Sequence, residues 1–343
     1  GLNREATRDA VTVFDQSSFA KFLLIGKDAE KALSWICAGD ISKSVGAVTY
    51  TQMLNRHGGI ECDLTVIRQG TDSFYIVTGT GFATHDFDWI KRNIPADCDA
   101  HLIDITSSKS VLSLMGPNAR EVLKDLTSDA VDHSSFPFGT AQTLHLAGAP
   151  VLAVRLTYVG ELGWELHIPV EYALTVYDAL MKAGQPYGLA NAGYRAIESL
   201  RLEKGYRAWG SDIGPDHTPL EAGMGWATKL KTDIDFQGKN ALLKQKEDGL
   251  RKRLACFTIE DKNCVLLGRE TIYRNGERVG WLTSAGYGYT VDQSIGYGYV
   301  RRPEGVDLAF LTSGEYELEV ATEHVKATLH LSALYDPKQD KIR

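Results

Sequence analysis

The 343-residue sequence predicts an α+β protein that ends in an all-β module. Three observations carry this expectation. Strand-like apolar runs alternate with helix-like runs as far as Gly184. From about residue 250 the character changes to short alternating runs set off by turn residues. Between these regimes lies KQKEDGLRKR at 244–253, a charged stretch that reads as a boundary.

The elements follow in order. FAKFLLIG at 19–26 is an apolar run stopped by glycine, hence a strand. Asp28 then precedes AEKALSWICAG, a helix in which Leu33 and Ile36 share a face and Gly39 supplies the stop. The pattern returns with VLSLMG at 111–116, followed by Pro117 at a helix start and by Val122, Leu123 and Leu126 along one side. A third pass runs through VLAVRLTYV at 151–159 and WELHIP at 164–169. The helix after it, near 170–183, places Leu174, Tyr177 and Met181 at helical spacing and ends at Gly184. In the last hundred residues, Asn275-Gly276 between two strand-like runs is the best hairpin signal, since a type I′ turn needs positive φ at both central positions.

Bulk properties narrow the function. A 43% hydrophobic content suffices for the cores of two or three domains. No stretch reaches the roughly 20 apolar residues of a membrane span, so no membrane partner is expected. A net charge of -7 argues against nucleic acid, although a local basic groove is compatible with an acidic total. Five scattered cysteines without a CxxC pair fit a reducing compartment. The opening GLNREATRDAVTVFD lacks a leader and reads as the interior of something longer or as a processed end.

Several chemistries lack their motifs. GTGFAT at 79–84 misses the last glycine of a dinucleotide fingerprint, and no GxxxxGK[ST], HExxH or GxSxG occurs. The nine histidines do not pair at metal-ligand spacing, so neither a metal nor a flavin is expected on this chain.

Four segments set ionisable residues among glycines and aromatics, as in a cleft that holds a polar ligand. In LNRHGGIECDLTVIR at 54–68, Gly58-Gly59 makes a turn and Asp63 stands near the start of a strand, with Leu64 and Val66 pointing the other way. In RLTYVGELGWELHIP at 155–169, Gly160 and Gly163 permit a hairpin bend. Glu165, between Trp164 and Leu166, lies either on the wet face of an edge strand or against a ligand. In NAGYRAIESLRLEKGYRAWGSDI at 191–213, Arg195, Glu198 and Leu202 follow helical spacing, and Glu198 with Arg201 is equally explained by an intrahelical ion pair. The fourth, TPLEAGMGWATKLK at 218–231, carries Glu221 and Trp226 around glycines.

Together these segments resemble the aminomethyltransferase family, the T-protein of glycine cleavage and its relatives. The branch they look most like is the C-terminal folate-binding region of sarcosine and dimethylglycine dehydrogenases. T-proteins usually carry two aspartates where this chain has Cys62-Asp63, and the single aspartate is the dehydrogenase-like form. The resemblance implies two ferredoxin-like α+β subdomains and a C-terminal β-barrel-like module. The expected division is a discontinuous folate-binding domain of 1–48 and 137–243, a second α+β subdomain of 49–136, and a β-rich domain of 244–343.

The resemblance also implies tetrahydrofolate as cofactor. Asp63 would lie beside the nitrogen bridging pterin and benzoyl group as the catalytic residue. Glu165 would pair with the pterin's N–H donors, Arg195 would stand near the pterin, and Tyr75, Tyr158 and Phe19 would supply an aromatic wall. The implied partners are an iminium or aminomethyl donor and a flavin-containing oxidase domain or subunit, and the implied location is the cytoplasm, or the mitochondrial matrix in a eukaryote. Two other activities share the resemblance. One is a T-protein served by a lipoyl carrier, and the other is a folate-binding regulatory module like the pyruvate dehydrogenase phosphatase regulatory subunit.

Overall fold

The computed structural model describes residues 2–343. The chain forms two compact units. The first comprises the residues up to Thr51, Asp63–Ile197 and Gln339–Arg343, and the second comprises Gln52–Cys62 and Glu198–Lys338.

In chain order the first part of the sequence forms α1 (Leu2–Asp9), β1 (Val11–Asp15), β2 (Ala20–Ile25), α2 (Ala29–Ile36), β3 (Val48–Leu54), β4 (Ile60–Gly70) and β5 (Ser73–Thr78). There follow α3 (Ala83–Asn93), β6 (His101–Asp104), β7 (Lys109–Met115), α4 (Ala119–Lys124), β8 (Ala141–Leu146), β9 (Ala149–Val154) and β10 (Gly163–Pro169). After α5 (Ala173–Gly184) and β11 (Leu189–Ala192), α6 (Tyr194–Lys204) crosses from the first unit to the second. Two sheets result, a six-stranded one in the order β11-β1-β7-β10-β9-β8 and a five-stranded one in the order β3-β4-β5-β2-β6.

Period-two alternation decides what each face of the six-stranded sheet buries. Trp164, Leu166 and Ile168 of β10, with Leu112 and Leu114 of β7, pack onto Val122 and Leu123 of α4 and Val176 and Leu180 of α5. The intervening residues, Glu165 and His167, are thereby turned to the opposite face. On that face Val154 of β9 and Ala141 of β8 form one apolar cluster with Ile67 of β4 and Tyr75 and Val77 of β5, so the two sheets meet here. Lys21 of β2 is fully buried and ties the segments together, donating to the carbonyls of Ser17 at 2.7 Å, Thr106 at 3.3 Å and Lys109 at 2.8 Å.

The second unit contains α7 (Lys239–Asp248), β12 (Lys252–Ile259), β13 (Thr271–Arg274), β14 (Glu277–Gly288), β15 (Gln293–Arg301), α8 (Leu308–Thr312), β16 (Tyr316–Val320) and β17 (Glu323–His330). The six strands close into a barrel in the order β12-β15-β14-β13-β16-β17, filled by Phe257, Ile272, Leu282, Val300 and Leu318. Among the described residues no helix is long and apolar enough to cross a membrane.

The predicted strand–helix passes and the all-β module are present, and Asn275 and Gly276 have the expected positive φ of 50° and 81° in the β13–β14 hairpin. Three details differ. Helix α2 ends at Ile36, ahead of Gly39, because the chain turns extended at Cys37, and the Gly39 N–H is taken by the Thr51 hydroxyl at 2.8 Å. Helix α5 buries Val176 and Leu180, and Leu174 is exposed, so the inward stripe lies one step away from the one read from the large residues. Gly163 is not a bend residue. It lies inside β10, where a Cβ would stand 2.3 Å from the Met115 sulfur and 2.5 Å from the Leu114 carbonyl oxygen, and only Gly160, at φ 84°, makes the turn.

Candidate functional site

The face where the two sheets meet holds the polar groups that a ligand site requires. Glu165 is on β10, paired on one side with Ser113 of β7 and on the other with Val154 of β9. This is an interior strand, so the wet-edge reading of Glu165 is excluded, and its side chain is only 10% exposed. The neighbouring Ser113 hydroxyl is committed to the Gln16 side-chain oxygen. Among the described residues no side chain or backbone N–H hydrogen-bonds to the Glu165 carboxylate, and His167 Nε2 stands 3.5 Å from it. A carboxylate this nearly buried keeps only a narrow contact with water, and a ligand that brings N–H donors to it would satisfy it better.

His167, two residues along the same strand face, is fully buried and bonded through Nδ1 to the Tyr75 hydroxyl at 2.8 Å. Burial first, and then the negative charge of Glu165, raise the Tyr75 phenol above its ordinary value, so the hydroxyl keeps its proton. A carboxylate beside Nε2 favours a proton on that nitrogen over one on Nδ1. With the proton on Nε2, Nδ1 accepts from Tyr75 and Nε2–H is directed at the field of Glu165. Tyr75 also meets the imidazole edge-on, with ring centroids 5.3 Å apart, which fixes both planes.

Tyr75 lies directly across from Ile67 on β4. Alternation along β4 puts Asp63 on the same side as Thr65 and Ile67, with Cys62, Leu64 and Val66 on the buried other side, and Asp63 itself is half-buried. Phe19 is half-buried against the cluster that contains Tyr75 and Val77. Tyr158, also half-buried, stands in the connection between β9 and β10. That connection is pinned by Glu161, whose buried carboxylate accepts from Arg8 at 2.8 Å, while Arg8 also donates to the Val159 carbonyl at 2.7 Å.

Tyr75, Glu165 and Phe19 are thus gathered on one inter-sheet face, with Asp63 on the Tyr75 side of β4. Arg195 is in the first turn of α6 and exposed, with no ion-pair or hydrogen-bond partner among the described residues. The other charges of its segment build the second unit. Arg201 pairs with Glu198 at 3.0 Å and with buried Asp212 at 2.7 Å, and Asp212 also accepts from the hydroxyls of Thr283 and Ser284. Glu221 likewise serves the fold, accepting from the Thr218 N–H and from Gln245, each at 3.0 Å. His167, Ser113 and Gln16 were missed from the sequence. His167 had a signal, since its position two residues after Glu165 on a strand puts both on one face.

Residues 2–232 match the profile described as the GCVT N-terminal domain, and residues 252–336 match the glycine cleavage T-protein C-terminal barrel domain. The chain belongs to the glycine cleavage T-protein family. Within this family it is 43% identical to the mitochondrial sarcosine dehydrogenase of Mus musculus, over 98% of this chain and 38% of that protein. The chain therefore spans well under half the length of that relative. It is 37% identical to the aminomethyltransferase of Halothermothrix orenii, over 87% of this chain and 82% of the relative. The crystal structure of glycine cleavage system aminomethyltransferase T from Bartonella henselae superposes with a TM-score of 0.85 at 25% identity, covering 97% of this chain and 89% of that one. The family resemblance read from the sequence and the α+β fold with a terminal barrel are both correct.

Proposed function

We propose that the chain binds tetrahydrofolate on the inter-sheet face and assists transfer of a one-carbon unit to it, as the folate-binding portion of a sarcosine or dimethylglycine dehydrogenase-like enzyme. The observation that carries this reading is Glu165, a carboxylate on an interior strand, only 10% exposed, that accepts no hydrogen bond among the described residues. A pterin presents adjacent N–H donors, which match the two oxygens of one carboxylate, so the residues present fit the cofactor of this family. Tyr75, Tyr158 and Phe19 would flank the aromatic part, and Arg195 would approach it from α6.

When bound, tetrahydrofolate supplies the nitrogen nucleophile that takes up the one-carbon unit. The rest falls to the protein. Glu165 anchors and orients, His167 and Tyr75 hold that carboxylate's surroundings dry and fixed, and Asp63 accepts the proton released at the bridging nitrogen. The donor would be an iminium produced by oxidation of a methylated amine at a flavin-containing domain or subunit. A second reading, a T-protein served by a lipoyl carrier, is favoured by the match to most of an aminomethyltransferase's own length. A regulatory module would bind folate without turnover.

Calorimetry with tetrahydrofolate tests the common core of these readings. Binding should be measurable, and Glu165→Gln and Arg195→Ala should each weaken it about tenfold or more, the scale of one lost charge-assisted hydrogen bond. No heat at high micromolar folate in folded protein, or near-native affinity in both variants, would refute the site. Turnover with an iminium donor against turnover with a lipoyl carrier then separates the two enzyme readings.

A further inference from the structure

The barrel carries a concentration of positive charge that the one-carbon reading leaves unused. Arg251, Lys252, Arg278, Arg301 and Arg302 line one groove of about 650 Å³ at the edges of β12, β14 and β15. Lys252 is the direct cross-strand partner of Arg301, and the Arg302 N–H donates to the Arg251 carbonyl at 2.9 Å. Like charges placed opposite each other weaken a sheet, so this arrangement has a cost.

The chain has 44 acidic residues against 37 basic ones, yet the groove is poorly neutralised. Glu221, which also lines the groove, pairs with Lys252 at 3.5 Å, and Glu304 pairs with Arg302 at 3.3 Å. Among the described residues Arg251, Arg278 and Arg301 have no carboxylate partner. The guanidinium of Arg301 lies over the Trp281 ring at 4.3 Å, which holds its planar fork in place. Its Nε is shielded from solvent and has no acceptor among the described residues. The field reaches inward as well. His217, stacked on Tyr299 with centroids 4.4 Å apart, is pushed down to about 4 by burial first and then by the charges of Lys252 and Arg301.

We propose that this groove binds a small polyanion carrying two or more carboxylate or phosphate groups. A guanidinium fork accepts both oxyanions in bidentate fashion, and three forks without acids call for more than one such group. The groove has the size of a small-molecule site. Trp281, Val279 and Pro303 on its wall suit a carbon skeleton between the charges. An ordinary solvated surface intersperses both signs of charge, whereas this groove gathers five cations around two carboxylates.

The test uses the full chain and two probes, citrate and inorganic pyrophosphate, titrated calorimetrically at low and at high sodium chloride. At least one should bind, and the stronger of the two identifies carboxylate or phosphate as the preferred chemistry. Arg251→Gln with Arg278→Gln, at exposed positions, should weaken binding about tenfold or more, and Arg301→Lys, which keeps charge but loses the fork, should do likewise. In the unmodified protein, bound anion should also move the His217 ring titration upward in NMR spectra, a readout that survives if a variant misfolds. Absence of binding by both probes at millimolar concentration, or unchanged affinity in the folded variants, would overturn the proposal. Failure of both probes while an acidic peptide binds would make the groove a protein-docking face instead.

Discussion

Replacing Tyr75 by Phe isolates the hydrogen bond on which the geometry of the inter-sheet face depends. Both Tyr75 and His167 are fully buried, so no water can take the place of a hydroxyl that sits 2.8 Å from Nδ1. Phe keeps the packing against Ile67 and Val77 and the edge contact with the imidazole. What is lost is one hydrogen bond, and what remains is a bare ring nitrogen beside an Nε2 that already has no hydrogen-bond acceptor. A buried polar atom deprived of its partner costs about 1–3 kcal/mol, and an imidazole with neither nitrogen satisfied belongs at the upper end. Urea denaturation should therefore show a loss of roughly 2–3 kcal/mol. The cycle with His167→Leu sharpens the test. Each single variant leaves one buried group unsatisfied, whereas the double variant leaves none, so the combined loss should fall short of the sum by about 1–2 kcal/mol. Additivity within about 0.3–0.5 kcal/mol would refute the coupling and with it the hydrogen bond between Tyr75 and His167.

Asp63→Asn should lower the rate of methylenetetrahydrofolate formation about 100-fold or more, the scale of general-base assistance, while folate affinity changes little. A parallel rate assay and binding titration check this, and equal losses would make Asp63 an anchor. Arg8→Met removes a donor that reaches Glu161 at 2.8 Å, in a pair whose side chains are 6% and 2% exposed. It should destabilise the fold by about 1–3 kcal/mol in denaturant melts, the scale of a lost buried charge-assisted hydrogen bond. His217 takes a proton near pH 6.5 in the unfolded chain and only near 4 in the folded one. Between those values the unfolded state binds the extra proton, so stability should fall as pH drops from 6.5 to 4, by at most about 3 kcal/mol for this one group and by less once solvent screens the partly exposed ring. His217→Phe should flatten that part of the profile.

The backbone was legible wherever one residue type answers one local demand. Asn275-Gly276 is such a case, because few other pairs accept two positive φ angles in succession. Alternation in WELHIP likewise implied that Glu165 and His167 share a face. It could not reveal which face is dry, because that depends on α4 and α5 covering the other side and on β7 and β9 flanking β10. The helix stripe of α5 misled for a related reason. Leu174 is large and apolar, but burial follows the position of the sheet below, which selects Val176 and Leu180. Tyr75 and His167 are 92 residues apart, so nothing local to either segment records the bond between them.

The placement of the two carboxylates suits the different tasks proposed for them. An anchor gains from low dielectric and a locked position, since each hydrogen bond to a charged acceptor strengthens as water is excluded. Glu165 has both, because β10 is held in register by β7 over seven residue pairs and its side chain is nearly sealed. A general base must in addition release the proton it takes, which requires a path to solvent. Asp63 is half-buried near the start of β4, where the strand emerges from the Gly58-Gly59 turn. Exchanging the two environments would give a base that cannot unload and an anchor competing with water. On this argument the asymmetry in burial is itself a functional property, and a substitution that floods the neighbourhood of Glu165, such as His167→Ala, should weaken folate binding even though His167 touches no ligand in the proposed arrangement.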